Sequence, residues 1–155
     1  MKPSHESGFT LIELVVVITI LGILAAFAVP KFVALDSQAR TATISGLAGS
    51  VKSAASLARS LAMASGNPAS VPMEGAAAPV TLTNNYPDNS AGGIAAAVNS
   101  NNGANGDFTF TAGTGAAGPA TWTKNGAPNP ANCVVSYTPA AVGSTPTVAT
   151  TTTGC

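Results

Sequence analysis

The first feature of the chain is an apolar segment from Phe9 to Val29 that carries a single ionisable side chain, that of Glu13. As a helix, these 21 residues would span roughly 31 Å, about the thickness of a bilayer core. Gly22 is a weak helix former and Pro30 lacks a backbone donor, so the stretch between them is the part that unwinds most easily. The alternatives are a plain kink at Pro30 or two helices broken there.

Beyond Pro30 the pattern changes from continuously apolar to periodic. Apolar residues recur at spacings of three and four, which predicts an amphipathic helix over residues 31–66 whose stripe covers a sheet. The stripe consists of Ile44, Leu47, Val51, Ala54, Ala58 and Leu61. Gly66, Asn67 and Pro68 supply the stop, because glycine adopts the left-handed conformation and proline cannot continue a helix.

Residues 67–155 are predicted to form a globular head. The stretch 67–106 is rich in turn residues, which favours a long connection with a brief strand or helix in its apolar runs. Those runs are Pro79–Thr83 and Ile94–Val98. Alternating patterns then predict an antiparallel meander with strands at 107–112, 120–124 and 132–138. The threonine-rich tail that follows is expected to fray unless it is tied to the sheet.

Large apolar side chains on the predicted strands are candidates for the face packed on the helix. They are Phe108, Phe110, Trp122 and Val135. Trp122 has a second interpretation, an aromatic platform for a sugar. The core interpretation is favoured, because a large aromatic side chain on an alternating strand contributes most by burial.

Composition excludes several functions. The head holds one base, Lys124, which is too little positive charge for a nucleic-acid site. The single histidine, His5, precedes the apolar segment, and the few carboxylates are scattered. No nucleophile, base and orienting group occur together, so we expect neither an enzyme nor a bound metal or cofactor.

Cys133 and Cys155 are the two cysteines of the chain. Neither has the CxxC spacing or a neighbouring histidine that a zinc or thioredoxin-like site requires, so a disulfide between them is favoured. It would close a loop of about 22 residues, stabilise the head by roughly 3 kcal/mol, and require an oxidising compartment.

The N-terminal residues carry a family resemblance. The hydrophilic MKPSHESG followed by FTLIELVVVITILGILAAFAVPKF resembles the class III leader and N-terminal helix of type IV pilins, over about residues 1–60. The stretch VPKFVALDSQAR is similar to pilins of the mannose-sensitive haemagglutinin type. The resemblance implies that a prepilin peptidase cuts between Gly8 and Phe9 and methylates the freed amine of Phe9. A residue without a side chain at Gly8 would let the protease approach the backbone closely.

The resemblance also assigns assembly roles to Phe9, Thr10 and Glu13. An ionised carboxylate in an apolar segment costs several kcal/mol unless a cation pairs with it, and no lysine or arginine lies three or four residues from Glu13. The nearest positive charge is the amine created at Phe9 by cleavage, either of the same chain or of a neighbour. The family favours the amine of a neighbouring subunit, which would set the register between helices. The alternative is an acid that snorkels to the headgroups. Unwinding of the stretch from Gly22 to Pro30 inside filaments is likewise expected from the family.

The implied fold is α+β: a long N-terminal helix, half in the membrane and half amphipathic, packed on a small antiparallel sheet. The implied parts are a cleaved leader (1–8), a filament-core helix (9–30), an amphipathic helix (31–66) and a head with a disulfide-bounded C-terminal loop (67–155). The implied function is that of a type IVa major pilin, with adhesion, surface motility or DNA capture as properties of the polymer. A type II secretion pseudopilin and a membrane-anchored binding module that never polymerises are the alternatives.

The expected partners are identical subunits, the prepilin peptidase, an assembly platform and minor pilins. The precursor is expected in the inner membrane, and the mature protein in an extracellular pilus of a Gram-negative-type bacterium. No direct nucleic-acid site is expected, because the head lacks the basic residues for one and binding would need backbone or aromatic contacts instead.

Overall fold

The computed structural model describes residues 8–98, 100, 102–103 and 105–155, and of Val33 the backbone alone. The chain divides into two compact units, Met1–Ser37 and Gln38–Cys155. Helix α1, Leu11–Ala64, contributes to both units and continues through Pro30. The alternative of two helices broken at Pro30 is therefore wrong for this subunit, since one proline leaves most of the surrounding hydrogen-bond ladder in place.

Helix α1 ends where the sequence predicts a stop. Gly66 and Asn67 have φ angles of 79° and 59°, in the left-handed region. The backbone N–H of Asn67 donates to the carbonyl oxygen of Ala62 at 2.7 Å, which satisfies one of the last helical acceptors.

The second unit contains two antiparallel sheets and a short helix. The smaller sheet has the order β1-β2-β3, with β1 at Ser70–Val71, β2 at Val80–Thr83 and β3 at Tyr86–Pro87. Helix α2, Ile94–Ala97, follows. The sequence predicts a brief strand or helix at the positions of β2 and α2. It does not predict β1 and β3, the two strands that pair with β2.

The larger sheet has the order β4-β5-β6-β7, an antiparallel meander. Its strands are β4 (Phe108–Thr111), β5 (Ala120–Lys124), β6 (Val134–Thr138) and β7 (Thr147–Thr151). The first three lie within the predicted ranges. Strand β7 was not predicted as a strand, although the disulfide was expected to tie this threonine-rich segment to the sheet edge; it pairs with β6 along its whole length. The α+β pilin-like fold is confirmed.

The core of the second unit lies between the C-terminal half of α1 and the sheets. Trp122 and Val135 are fully buried, Phe108 is buried and Phe110 is partly buried, so the predicted face is confirmed. Register places Phe110 opposite Trp122, and their ring centroids are 5.0 Å apart. A side chain with no exposed surface offers no sugar platform, which makes that interpretation of Trp122 wrong.

The buried stripe of α1 differs in phase from the predicted one. The buried helix residues are Ile44, Leu47, Ala48, Val51, Ala55, Ala58 and Ala62. Ala54 and Leu61 are only partly buried, and their C-terminal neighbours take the core positions. The predicted spacings average 3.4 residues per turn, and a helix of 3.6 residues per turn drifts away from that pattern within a few turns.

Candidate functional site

The N-terminus of α1 is closed by a reciprocal pair of hydrogen bonds. Glu13 Oε2 accepts from the backbone N–H of Thr10 at 2.9 Å and from Thr10 Oγ1 at 2.8 Å. The backbone N–H of Glu13 donates to Thr10 Oγ1 at 3.3 Å. Thr10 is the residue before the helix and Glu13 its third residue, which is the arrangement of a capping box. The Thr-x-x-Glu spacing of such a box is present in the sequence, but the capping role of Glu13 was not predicted.

This capping box uses only one oxygen of the carboxylate. All the contacts from Thr10 go to Oε2, and within the described part of the chain Oε1 has no hydrogen-bond partner. Phe9 follows Gly8, so its nitrogen belongs to a peptide bond and carries no charge. The structure thus brings Phe9, Thr10 and Glu13 to one helix terminus, and the pairing of Glu13 with a freed amine stays a prediction.

Gly8 and Gly22 have no packing role within the described residues. A Cβ added at either position would meet no atom within 4 Å, and neither residue has a φ angle in the left-handed region. Any requirement for glycine at these positions must therefore come from another molecule, or from a backbone conformation that this subunit does not adopt.

The first unit exposes its apolar surface. Its large apolar side chains from Phe9 to Leu35, Val33 aside, are 44–88% exposed. A shallow apolar depression of about 320 Å³ lies at the start of α1 against Phe9, Val16, Val17 and the Glu13 side chain. By length and composition α1 is able to cross a membrane, although a signal sequence has the same properties. Exposed apolar surface of this extent is typical of segments covered by lipid or by another chain.

Pro30 leaves a local gap in the hydrogen bonding of α1. A proline has no N–H, so the carbonyl of Ala26, four residues earlier, lacks its usual helical donor. The helix remains continuous in the isolated subunit, and the predicted unwinding between Gly22 and Pro30 concerns a different environment.

The C-terminal loop is fixed by a disulfide and by backbone hydrogen bonds. Cys133 and Cys155 are bonded, with Cα atoms 4.9 Å apart and both residues buried, which confirms the predicted pairing. Arg40 Nη1 on α1 donates to the carbonyl oxygen of Cys155 at 2.9 Å. A Cβ on Gly154 would lie 2.3 Å from the carbonyl oxygen of Asn129, so only glycine allows this close approach.

The described residues contain no group of three or more histidine, cysteine, aspartate or glutamate side chains that would hold a metal ion. The predicted site residues thus lie in three places: the start of α1, the stretch from Gly22 to Pro30 within α1, and the disulfide-bonded loop of the second unit.

Comparison with known proteins gives a family model and several named relatives. A family model described as the prokaryotic N-terminal methylation motif matches residues 3–29. The chain is 33% identical over 123 residues to the type IV major alpha-pilin of Moraxella bovis, covering 68% of this chain and 76% of the relative. No solved structure gives a significant match.

Two other relatives match over shorter stretches. The chain is 52% identical over 54 residues to the type IV narrow pilus major component PilA5 of Thermus thermophilus, covering 35% of this chain and 47% of the relative. It is 48% identical over 46 residues to the type II secretion system core protein G of Pseudomonas aeruginosa, covering 30% of this chain and 32% of the relative. The chain thus spans less than half of the length of these two relatives.

Proposed function

Because the chain belongs to the type IV pilin family, we propose that it is the major subunit of a type IVa pilus that serves in adhesion or surface motility. The single observation that carries the proposal is the start of α1, where an exposed apolar helix holds a half-satisfied carboxylate. The alpha-pilin relative supports the pilus function for the head as well as the helix, since its alignment extends over 68% of this chain.

The energetics of Glu13 favour a partner from outside the subunit. An ionised carboxylate in the apolar part of a membrane costs on the order of 3 kcal/mol. A helix cap contributes about 1 kcal/mol. The bonds from Thr10 therefore offset only part of the cost, and Oε1 remains without a partner among the described residues. A cation is needed to offset the rest.

The proposed cation is the amine of Phe9 on a neighbouring subunit. Hydrolysis of the Gly8–Phe9 peptide bond by a prepilin peptidase frees this amine, which the same enzyme then methylates. Gly8 is exposed and an added Cβ there would meet nothing, which agrees with a requirement imposed by a protease rather than by packing. Each new subunit would then bring both a carboxylate and an amine, so one subunit's Oε1 is available for the next subunit's Phe9.

In the proposed sequence of events the precursor is held in the inner membrane of a Gram-negative-type cell by α1. An assembly platform then moves the processed subunit into a filament that minor pilins initiate. Inside the filament the stretch from Gly22 to Pro30 would lose its helical hydrogen bonds, beginning at the carbonyl of Ala26 that Pro30 already leaves without a donor.

A matched pair of substitutions tests the role of the charge. Glu13→Gln keeps a residue that completes a capping box with Thr10 but removes the charge, whereas Glu13→Ala removes both. We expect both variants to insert into the membrane and to give on the order of tenfold fewer sheared filaments than wild type, since the lost ion pair is desolvated. Filament yield is measured by electron microscopy and immunoblotting. Wild-type yield from Glu13→Gln would show that the cap, and not the charge, matters.

Mass spectrometry of the mature protein tests the processing step separately. We expect the chain to start at Phe9 with a methylated amine. An intact Met1 in surface filaments would contradict the assignment of Gly8 and Phe9.

The second candidate function is that of a type II secretion pseudopilin. The 48% identity to core protein G over 46 residues is the observation in its favour. Long surface filaments made of this chain at native expression would support the pilus. Confinement of the protein to the envelope, with loss of secretion on deletion, would support the pseudopilin.

A further inference from the structure

Most charged side chains of the unit Gln38–Cys155 are engaged within that unit. Lys124 Nζ lies 3.3 Å from Asp107 Oδ1, and Arg40 donates to the carbonyl oxygen of Cys155. Asp88 is half-buried and its Oδ1 accepts from the backbone N–H of Ser90 at 2.9 Å. Two bases and one acid of this unit remain.

The remaining charges have no oppositely charged partner among the residues that the structure describes. They are Lys52, Arg59 and Glu74. Both bases lie on α1, seven residues or about two turns apart, on the same face. An unpaired acid and a pair of unpaired bases on one chain are complementary between copies of that chain.

The two bases line adjoining cavities between α1 and the loop 141–146, together called the basic groove here. One cavity of about 320 Å³ is lined by polar and apolar residues alike: Lys52, Ala55, Ser56, Tyr86, Thr145, Pro146 and Val148. A second cavity of about 240 Å³ is lined by Arg59, Asn84, Asn85, Gly143, Ser144 and Thr145. Thr145 lines both cavities, so they adjoin, and no carboxylate lines either of them.

Arg59 is held in place before any partner arrives. Its guanidinium carbon lies 4.6 Å from the centroid of the Tyr86 ring, and the residue is half-buried. A guanidinium stacked on an aromatic ring keeps its N–H edge free for a carboxylate. The opposite wall is fixed as well, because Asn84 Nδ2 donates to the carbonyl oxygen of Ala140 at 2.8 Å, directly before the loop.

The turn that contains Glu74 is complementary to the basic groove, because it is an exposed turn and carries a negative charge. It lies in a tight turn closed by a hydrogen bond from the N–H of Ala76 to the carbonyl oxygen of Met73 at 3.2 Å. Gly75 has a φ angle of 85°, as the third residue of a type II turn requires. Glu74 is therefore an exposed acid at the tip of a turn, followed by small alanine residues that allow another surface to approach closely.

We propose that the Glu74 turn of one subunit docks in the basic groove of the next, with the carboxylate on Arg59 and Lys52 adding to the positive potential. The inference rests on the proposed polymerisation. Different surfaces of the two copies meet in this contact, so it is heterologous, and such contacts repeat without closing when subunits form a helical filament. The contact would fix the position of each head relative to the next head, in addition to the register that Glu13 would set between the helices.

Charge reversal tests the contact. Glu74→Lys and Arg59→Glu, each alone, place like charges together, and we expect each to lower filament yield on the order of tenfold. The double variant Glu74→Lys/Arg59→Glu restores both the pairing and the wild-type net charge, and we expect it to recover most of the yield. Lys52→Glu should have a smaller effect than Arg59→Glu, because Lys52 is exposed and makes no stacking contact. Near-UV circular dichroism of the solubilised variants checks that the heads are folded.

A cross-link provides a readout that does not depend on yield. In wild-type-like filaments, Glu74→Cys/Ser144→Cys should form intermolecular disulfide ladders on mild oxidation, whereas the control Glu74→Cys/Thr111→Cys should not.

Normal filaments from Glu74→Lys, failure of the double variant to recover, or ladders only in the control would each overturn the contact. Those results leave the pilus function standing, whereas absence of wild-type filaments overturns the proposed function itself. Loss of binding to acidic polysaccharide by Arg59→Glu filaments formed at normal yield would show that the groove serves a ligand instead.

Discussion

Removal of the Cys133–Cys155 bond should lower the free energy of unfolding, by an amount that follows from the length of the loop that the bond closes. The bond joins residues 22 apart in sequence. A cross-link of that span lowers the entropy of the unfolded chain by about 11 cal/mol/K, which is about 3 kcal/mol at 25 °C. The remaining restraints on the tail are hydrogen bonds, because β7 is an edge strand that pairs only with β6 and exposes most of its side chains.

The assay uses Trp122, the one tryptophan of the chain and a fully buried side chain. Its fluorescence follows urea unfolding of the full chain in detergent. We expect the free energy of unfolding to fall by about 3 kcal/mol when wild type is reduced, and by a similar amount in Cys133→Ala/Cys155→Ala. The double variant serves as the control for the reductant, since adding it there should change nothing.

A fall of less than about 1 kcal/mol in both cases would refute the reasoning, because it is far below the loop-entropy value. The tail would then be held by the β6–β7 ladder and by the hydrogen bond from Arg40 Nη1 to the Cys155 carbonyl. Amide hydrogen exchange separates the two explanations, since a tail fixed by the cross-link loses protection in β7 first once the bond is reduced.

Two further predictions concern single hydrogen bonds. Thr10→Val removes the hydroxyl of the capping box, so amide hydrogen exchange in the first turn of α1 should become about fivefold faster in micelles. Thr10→Ser is the control, because it keeps the hydroxyl. An unchanged exchange rate in Thr10→Val would show that the capping box does not stabilise the helix. Burial raises the pKa of Tyr137, whose hydroxyl donates to the carbonyl oxygen of Pro87 at 2.7 Å. The unfolded chain loses this proton first, so stability should fall as the pH rises above about 10, and more steeply in wild type than in Tyr137→Phe by urea titration; parallel curves would contradict this.

The parts of the fold that the sequence predicts well are those with a strong local pattern. The C-terminus of α1 has Gly66 and Asn67 in left-handed conformations, which both residue types adopt readily. Strand β5 alternates buried and partly exposed positions around Trp122, and it was predicted with its observed bounds. In both cases the decisive interactions lie within a few residues of each other.

The parts that were missed depend on distant residues. Strand β7 has no buried alternation, because it is an edge strand and its register comes from β6. The stacking of Arg59 on Tyr86 joins residues 27 apart in sequence, and no local pattern announces it. The basic groove therefore cannot be predicted from the sequence, whereas the Thr10–Glu13 cap could be predicted from the residue spacing alone.

The start of α1 also explains what could decide whether this exposed apolar helix is more stable in a bilayer or in a bundle of identical helices. Lipid tails are as apolar as leucine, so moving this helix from a bilayer to a bundle of identical helices changes the burial of its apolar surface very little. The choice therefore depends on polar groups, and Glu13 is the one carboxylate between Phe9 and Val29. With Oε2 already bonded to Thr10, the proposed difference between the two environments is whether Oε1 finds a cation. In a polymer of processed subunits every neighbour would bring one, whereas in a bilayer a lone subunit would have only the amine of its own chain or the lipid headgroups to offer.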